Sequence, residues 1–189
     1  GTAPPVAEGI RRHAIPASGE RIPAVGMGTW VTFNVGEDRT LRRDRLAVLR
    51  TFFELGGGMI DSSPMYGSSE AVVGYCLREL PDPGPLFSAT KVWTWRTGNG
   101  PDQMAESREL WGLDRFDLMQ IHNLVTWPEH LRTLRAEKEQ GRIRYFGVTT
   151  SHGRRHGELE SILRNEPIDF VQLTHNIVDR EAERRLLPL

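Results

Sequence analysis

A single cysteine, Cys76, stands in the 189 residues of the chain, so no disulfide can close within it. Its neighbours Val72, Val73, Leu77 and Leu80 mark the apolar face of a helix, which predicts a thiol packed in a core and not a reactive one. A lack of cystines fits the cytoplasm, with export after removal of a leader as the alternative. No apolar run approaches the roughly 20 residues of a membrane span, and the opening GTAPPVAEG has no apolar leader core. Charge of one sign is also missing: Lys+Arg number 24 against Asp+Glu 25, a net charge of -1. That balance removes the electrostatic ground for binding nucleic acid or an anionic membrane. Nothing in the composition points to an oligomeric state.

Two further absences narrow the chemistry. Gly26 and Gly28 are spaced like the start of a dinucleotide fingerprint, but the third glycine is missing and no helix opens behind them, so that motif is not expected. His152 and His156 have the spacing of a metal-binding pair on one helix face. No third ligand or glutamate motif accompanies them, and no metal is expected.

What is present is a repeat of strand and helix. Residues 10–25 read as a hairpin around Ser18-Gly19-Glu20, and Val25 to Thr29 as a first buried strand. An apolar stripe from Leu41 to Leu55 predicts a helix stopped by Gly56-Gly57-Gly58. Met59 and Ile60 form a second strand that ends at Asp61. A helix capped by Ser68-Ser69-Glu70 follows to about Leu80, and Pro81 to Pro85 is a turn. The pattern continues with strands at Leu86–Lys91, Phe116–His122, Arg144–Thr149 and Asp169–Leu173. Helices are expected near 101–111, 127–140, 154–165 and from Asp179. Consecutive βα units with short connections imply a parallel sheet with right-handed crossovers. Polar residues end the second, third and fourth strands, and they converge only if the strand ends form a ring. The expected fold is therefore α/β, a (β/α)8 TIM-type barrel with an N-terminal β-hairpin, in one domain over residues 1–189.

The candidate site lies on that rim. Asp61, Tyr66, Lys91 and His122 all fall at or just beyond the C-terminal end of a strand. Taken singly, each has a plain structural explanation: a helix cap, a packing phenol, a solvated cation, a satisfied core imidazole. Four polar groups of complementary type on one rim make coincidence a poor account of the set. Trp30, Phe33, Trp93, Trp95 and Trp127 occupy strand-exit loops, where they either line an apolar pocket or anchor the loops.

The stretch MIDSSPMYGSSEAVVG, the strand-terminal ATK, QIH, GRIRYFGVT and FVQLTHN, in this order, resemble an aldo-keto reductase from about Gly26 onward. The resemblance implies reduction of an aldehyde or ketone by hydride from NADPH, with NADH possible. In that reading Tyr66 is the general acid, Lys91 lowers its pKa, Asp61 pairs with Lys91 and His122 orients the carbonyl. It also implies cofactor contacts from Gly28, Thr29, Trp30, Asp61, Thr149, Thr150 and Gln172, with Asn176 as a polar support. Thr149 and Thr150 stand where the family commonly has Ser-Asn. Two other outcomes stay open: a nicotinamide-binding sensor with little turnover, and an inert fragment. A barrel of this kind needs eight βα units, whereas the sixth strand is the last here. The expectation is a piece of a longer protein, with closure by another chain as the alternative.

Overall fold

A computed structural model describes residues 9–82 and 84–189. The leader-free reading of residues 1–8 and the centre of the Pro81–Pro85 turn, Pro83, lie outside the described residues. Strands β1 (Arg12–Ala14) and β2 (Arg21–Pro23) pair antiparallel with His13 opposite Ile22, the hairpin expected within residues 10–25.

The remaining strands are β3 (Met27–Gly28), β4 (Met59–Asp61), β5 (Phe87–Val92), β6 (Phe116–Ile121), β7 (Ile143–Thr149) and β8 (Phe170–Gln172). They form one parallel sheet in chain order, β3-β4-β5-β6-β7-β8. Helices α1 (Arg39–Glu54), α2 (Ser69–Glu79), α3 (Gly100–Trp111), α4 (Trp127–Glu139) and α5 (His156–Asn165) make the five crossovers after β3, and α6 (Glu181–Arg185) follows β8. An open doubly wound sheet reverses its strand order at a switch point, and this one never does. Its winding is that of a (β/α)8 barrel with six strands in place.

The pleat sorts each strand into two faces. Phe87, Ala89, Leu118 and Tyr145 form an inner cluster with Ile15 of the hairpin loop, against which Ile22, Met59 and Phe170 pack. The alternate positions, such as Ile60, Val92, Met119, Phe146 and Val148, join Leu49, Val72, Cys76, Trp111, Leu134 and Leu159 of the helices in the larger core. Cys76 is buried there, and burial pushes its thiol up to about 11. The hairpin end is tied to the barrel through polar groups: the Tyr145 hydroxyl donates to Glu20 and lies 2.8 Å from Ser18 Oγ, and Arg144 pairs with both Glu20 and Asp117.

Several boundaries differ from expectation for identifiable reasons. Ser68 does not cap α2; its hydroxyl donates to Asn34 Oδ1 and accepts from Gly36 N, which ties the loop after β3 to the start of the helix. Strand β5 runs one residue past Lys91 to Val92, which pairs with Ile121. Helix α5 starts at His156 and not Arg154, because Arg155 has a left-handed backbone at φ 59. His152 is therefore outside the helix, and the two histidines do not share a helical face. Asn176 Oδ1 accepts from the N–H of Val178 and Asp179, which delays α6 to Glu181.

Candidate active site

Alternation along the strands is what delivers the polar groups. On the inner face β4 reads Met59, Asp61; β5 reads Phe87, Ala89, Lys91; β6 reads Leu118, Gln120; β7 reads Tyr145, Gly147, Thr149; and β8 reads Phe170, Gln172. The start of each strand is apolar and the end is polar or small, so one end of the sheet's inner face is filled with apolar side chains and the other is lined by polar groups. The register brings these ends level, with Lys91 opposite Gln120, Gln120 opposite Gly147, and Thr149 opposite Gln172.

Lys91 is the centre of the arrangement, with 1 % of its surface exposed. Its Nζ donates to Asp61 Oδ2 at 2.6 Å and to the Ser62 carbonyl at 2.7 Å. Burial lowers its pKa, and the Asp61 carboxylate opposes that shift. Gln120 Nε2 donates to the other Asp61 oxygen at 3.2 Å, which fixes the orientation of the carboxylate. Tyr66 and His122 complete the cluster. The Lys91 ammonium lies 5.2 Å from the centre of the Tyr66 ring, and the Tyr66 and His122 rings meet edge to face at 5.7 Å. All four expected residues are thus brought together.

The net shift of the phenol is opposite in direction to the expected lowering. Lys91 faces the Tyr66 ring, and burial followed by the Asp61 charge pushes the phenol up to about 12. Tyr66 is accordingly protonated at neutral pH. His122 is held neutral: burial, then the Lys91 charge, lowers it to about 4. Its Nδ1 lies 2.9 Å from Ser63 Oγ, and that oxygen accepts from Met65 N at 3.2 Å. In the tautomer where Ser63 donates its hydroxyl proton to Nδ1, Nε2–H is left free as a donor.

The other expected residues divide. Thr29 is wholly buried and its hydroxyl is engaged by the Asp61 carbonyl at 3.0 Å and Ser62 Oγ at 2.8 Å, so it braces the turn after β4 instead of presenting a group to a ligand. Asp61 likewise has both oxygens committed to protein donors. Phe33, 2 % exposed, packs in the helix-side core and lines no open pocket. Trp127 is half-buried and donates Nε1 to Glu158 at 2.7 Å, which makes it an anchor between α4 and α5. Trp30 and Trp95 are exposed, and Trp93 packs edge to face on Trp95 at 5.1 Å. The backbone of Trp93 is clamped by Gln103, which accepts from its N–H at 2.6 Å and donates to its carbonyl at 2.9 Å.

Groups that suit a nicotinamide remain on the rim. The Gln172 side chain is exposed and makes no hydrogen bond among the described residues. Thr149 Oγ1 accepts from Asn123 N at 3.0 Å and keeps its own proton to donate. A Cβ added at Gly28 would meet nothing within 4 Å, so the β3 exit is open at that position. Thr150 instead borders a cavity with Asn123, Ser151, Arg154 and Arg155, the last three in the loop before α5.

Three supporting residues were not singled out from the sequence. Ser63 looked like a turn former, and Gln120 was passed over although it lies two positions before His122 on the same face. Glu70 read as part of a helix cap. It is buried, accepts from Thr90, Ser107 and Trp111, and burial raises its pKa.

The model of the aldo/keto reductase family matches residues 24–189. Methylglyoxal reductase YeaE of Escherichia coli is 31% identical over 186 residues, which cover 95% of this chain and 64% of that protein. A thermostable aldo-keto reductase crystallised with the inhibitor epalrestat matches with a TM-score of 0.77 and 30% identity, over 93% of this chain and 66% of its own. An aldo/keto reductase from Klebsiella pneumoniae in complex with NADP and acetate matches with a TM-score of 0.74 and 25% identity, over 90% and 60%. The chain spans less than two thirds of each of these proteins.

Proposed function

The chain belongs to the aldo/keto reductase family, and from that premise we propose that it reduces the carbonyl of a small aldehyde or ketone, with Tyr66 as proton donor and NADPH as cofactor. The observation that carries this reading is the clasp of the buried Lys91 between Asp61 and Ser62, with the Tyr66 ring over its ammonium and His122 against that ring. The cofactor is proposed by analogy with the Klebsiella pneumoniae neighbour, which holds NADP. A relative that is a methylglyoxal reductase supports a small carbonyl substrate.

Bound NADPH supplies a hydride, which no side chain can provide. Gly28, Trp30, Thr149 and Gln172 are the residues proposed to hold its nicotinamide end. Hydride addition leaves an alkoxide on the substrate, and that oxygen needs a proton. An alkoxide is a far stronger base than a phenolate, so a phenol near 12 still gives up its proton downhill. Lys91 then stabilises the phenolate as it forms, which is when its charge matters most. Neutral His122 donates from Nε2 to the carbonyl oxygen and holds it within reach of Tyr66.

The test is Tyr66→Phe. Steady-state reduction of a small aldehyde should fall at least 100-fold, the scale of a lost general acid, while NADPH fluorescence still reports binding. Unchanged turnover would remove Tyr66 from the chemistry. Binding of NADPH by the unaltered chain with no multiple turnover would favour a sensor module.

A further inference from the structure

Three consecutive residues at the end of β4, Asp61, Ser62 and Ser63, hold the other members of the site. Asp61 Oδ2 and the Ser62 carbonyl accept from Lys91 Nζ at 2.6 Å and 2.7 Å. The Ser63 carbonyl accepts from Tyr66 N at 2.9 Å, and Ser63 Oγ lies 2.9 Å from His122 Nδ1. The phenol, the ammonium, the carboxylate and the imidazole each have a part in the reaction, and the Ser63 hydroxyl has none so far. Ser63 has no exposed surface, so that hydroxyl has to find its partners within the protein.

A hydroxyl offers one proton and two lone pairs. Met65 N donates to Ser63 Oγ at 3.2 Å and takes one lone pair. His122 Nδ1 is the one other partner of that oxygen among the described residues. If Nδ1 carried the imidazole proton, it would take the second lone pair, and the Ser63 proton would be buried without an acceptor. If Nδ1 is bare, it accepts that proton and no donor is left over. Buried donors are almost always paired, which selects the second arrangement. The imidazole proton then sits on Nε2, which makes no hydrogen bond among the described residues.

We propose that Ser63 is a positioning residue: its hydroxyl holds His122 in the Nε2–H tautomer and fixes the ring, so that the imidazole always presents a donor to the substrate carbonyl. The kinetic consequence rests on the carbonyl-reductase reading above, whereas the tautomer does not. A carbonyl oxygen can only accept, so the opposite tautomer would face it with the Nε2 lone pair. The hydrogen bond made by one ring nitrogen sets the protonation of the other, and here Ser63 makes that bond. Because the Ser63 carbonyl also receives the Tyr66 N–H, one residue ties the proton donor and the carbonyl-binding group to the same turn.

The experiment reads the protonation of both His122 ring nitrogens by NMR of isotope-labelled histidine at neutral pH, in the unaltered chain and in Ser63→Ala. The His122 signals are those lost in His122→Gln. The expected result is a bare Nδ1 and a protonated Nε2 in the unaltered chain, and a measurable Nδ1–H population in Ser63→Ala. Nδ1–H in the unaltered chain, or a tautomer that Ser63→Ala leaves unchanged, overturns the proposal. Kinetics add a double-mutant cycle. Ser63→Ala should lower kcat/KM for a small aldehyde about tenfold, the scale of one hydrogen bond. In the His122→Gln background the same change should cost less than about twofold, because Ser63 acts through His122. Unchanged kcat/KM in Ser63→Ala, or an equal loss in both backgrounds, sinks the assignment; an equal loss would mean that Ser63 acts through the Tyr66 turn alone. Ser63→Cys, whose thiol is a weak donor, should fall between serine and alanine, and it replaces Ser63→Ala if that chain does not fold. The expected tautomers without reduction of any aldehyde would remove the reductase reading and leave the hold of Ser63 on His122 standing.

Discussion

At the scale of single residues the site depends on burial more than on charge pairing. The same desolvation acts in opposite directions on acids and bases, because each is pushed toward its neutral form. It raises Tyr66 to about 12 and lowers His122 to about 4, leaving both as uncharged hydrogen-bond donors across the physiological range. Ionisation of Tyr66 should therefore not limit reduction below pH 10. His122 also makes stability depend on pH. Its folded pKa lies below the 6.5 of the unfolded chain, so between those values the unfolded state binds the extra proton, and stability falls as pH drops from 6.5 to about 4. The loss amounts to about 3 kcal/mol for this group alone. Urea unfolding at pH 4.5 to 7.5 should show that decline reduced in His122→Gln by comparison with the unaltered chain; parallel curves would contradict it. Asp61, Tyr66, Lys91 and His122 were legible as residues, because strand ends can be read from apolar runs. Ser63, Gln120 and Glu70 were not, since a turn serine, a strand glutamine and a helix-cap glutamate look the same whether or not they hold a neighbour in place.

At the scale of elements, β7 and β8 show how closely the site depends on register. Gly147 lies opposite Gln120 on one side and Phe170 on the other. A Cβ there would stand 2.2 Å from the Phe170 carbonyl oxygen, a backbone atom that cannot move without breaking the ladder. Gly147→Ala is expected to cost about 1–3 kcal/mol as an overpacked position and to disturb the facing of Thr149 and Gln172. A thermal melt together with an NADPH titration measures both effects, and an unchanged melting temperature would count against this account. The repeat of strand and helix was legible because the period of apolar residues alternates between two and 3.6. Boundaries at Ser68, Arg155 and Asp179 were not, because they are decided by a partner distant in sequence, by a left-handed turn with no glycine to mark it, or by a local side-chain turn at Asn176.

At the scale of the molecule, β3 and β8 are the outer strands of the parallel sheet among the described residues, and each offers one unpaired edge. Beyond β8, Ile177 and Val178 are 95% and 89% exposed. Unpaired edges with apolar neighbours associate. A polypeptide of these 189 residues is expected to show a concentration-dependent mass above 21.4 kDa in light scattering, and a monodisperse monomer at all concentrations would refute this. The chain's own sequence determined the order of the elements, the winding of the sheet and the four groups on its rim. Those depend on local periodicity and on the rule that parallel crossovers keep one hand. Only the tertiary structure decided that Lys91 meets the face of the phenol, that Thr29 and Phe33 support the site from within while Gln172 remains open, and that Asn123, Thr150 and Arg154 border one cavity. The reason is that protonation and exposure depend on neighbours from other strands, and the sequence does not specify how far those neighbours stand from one another.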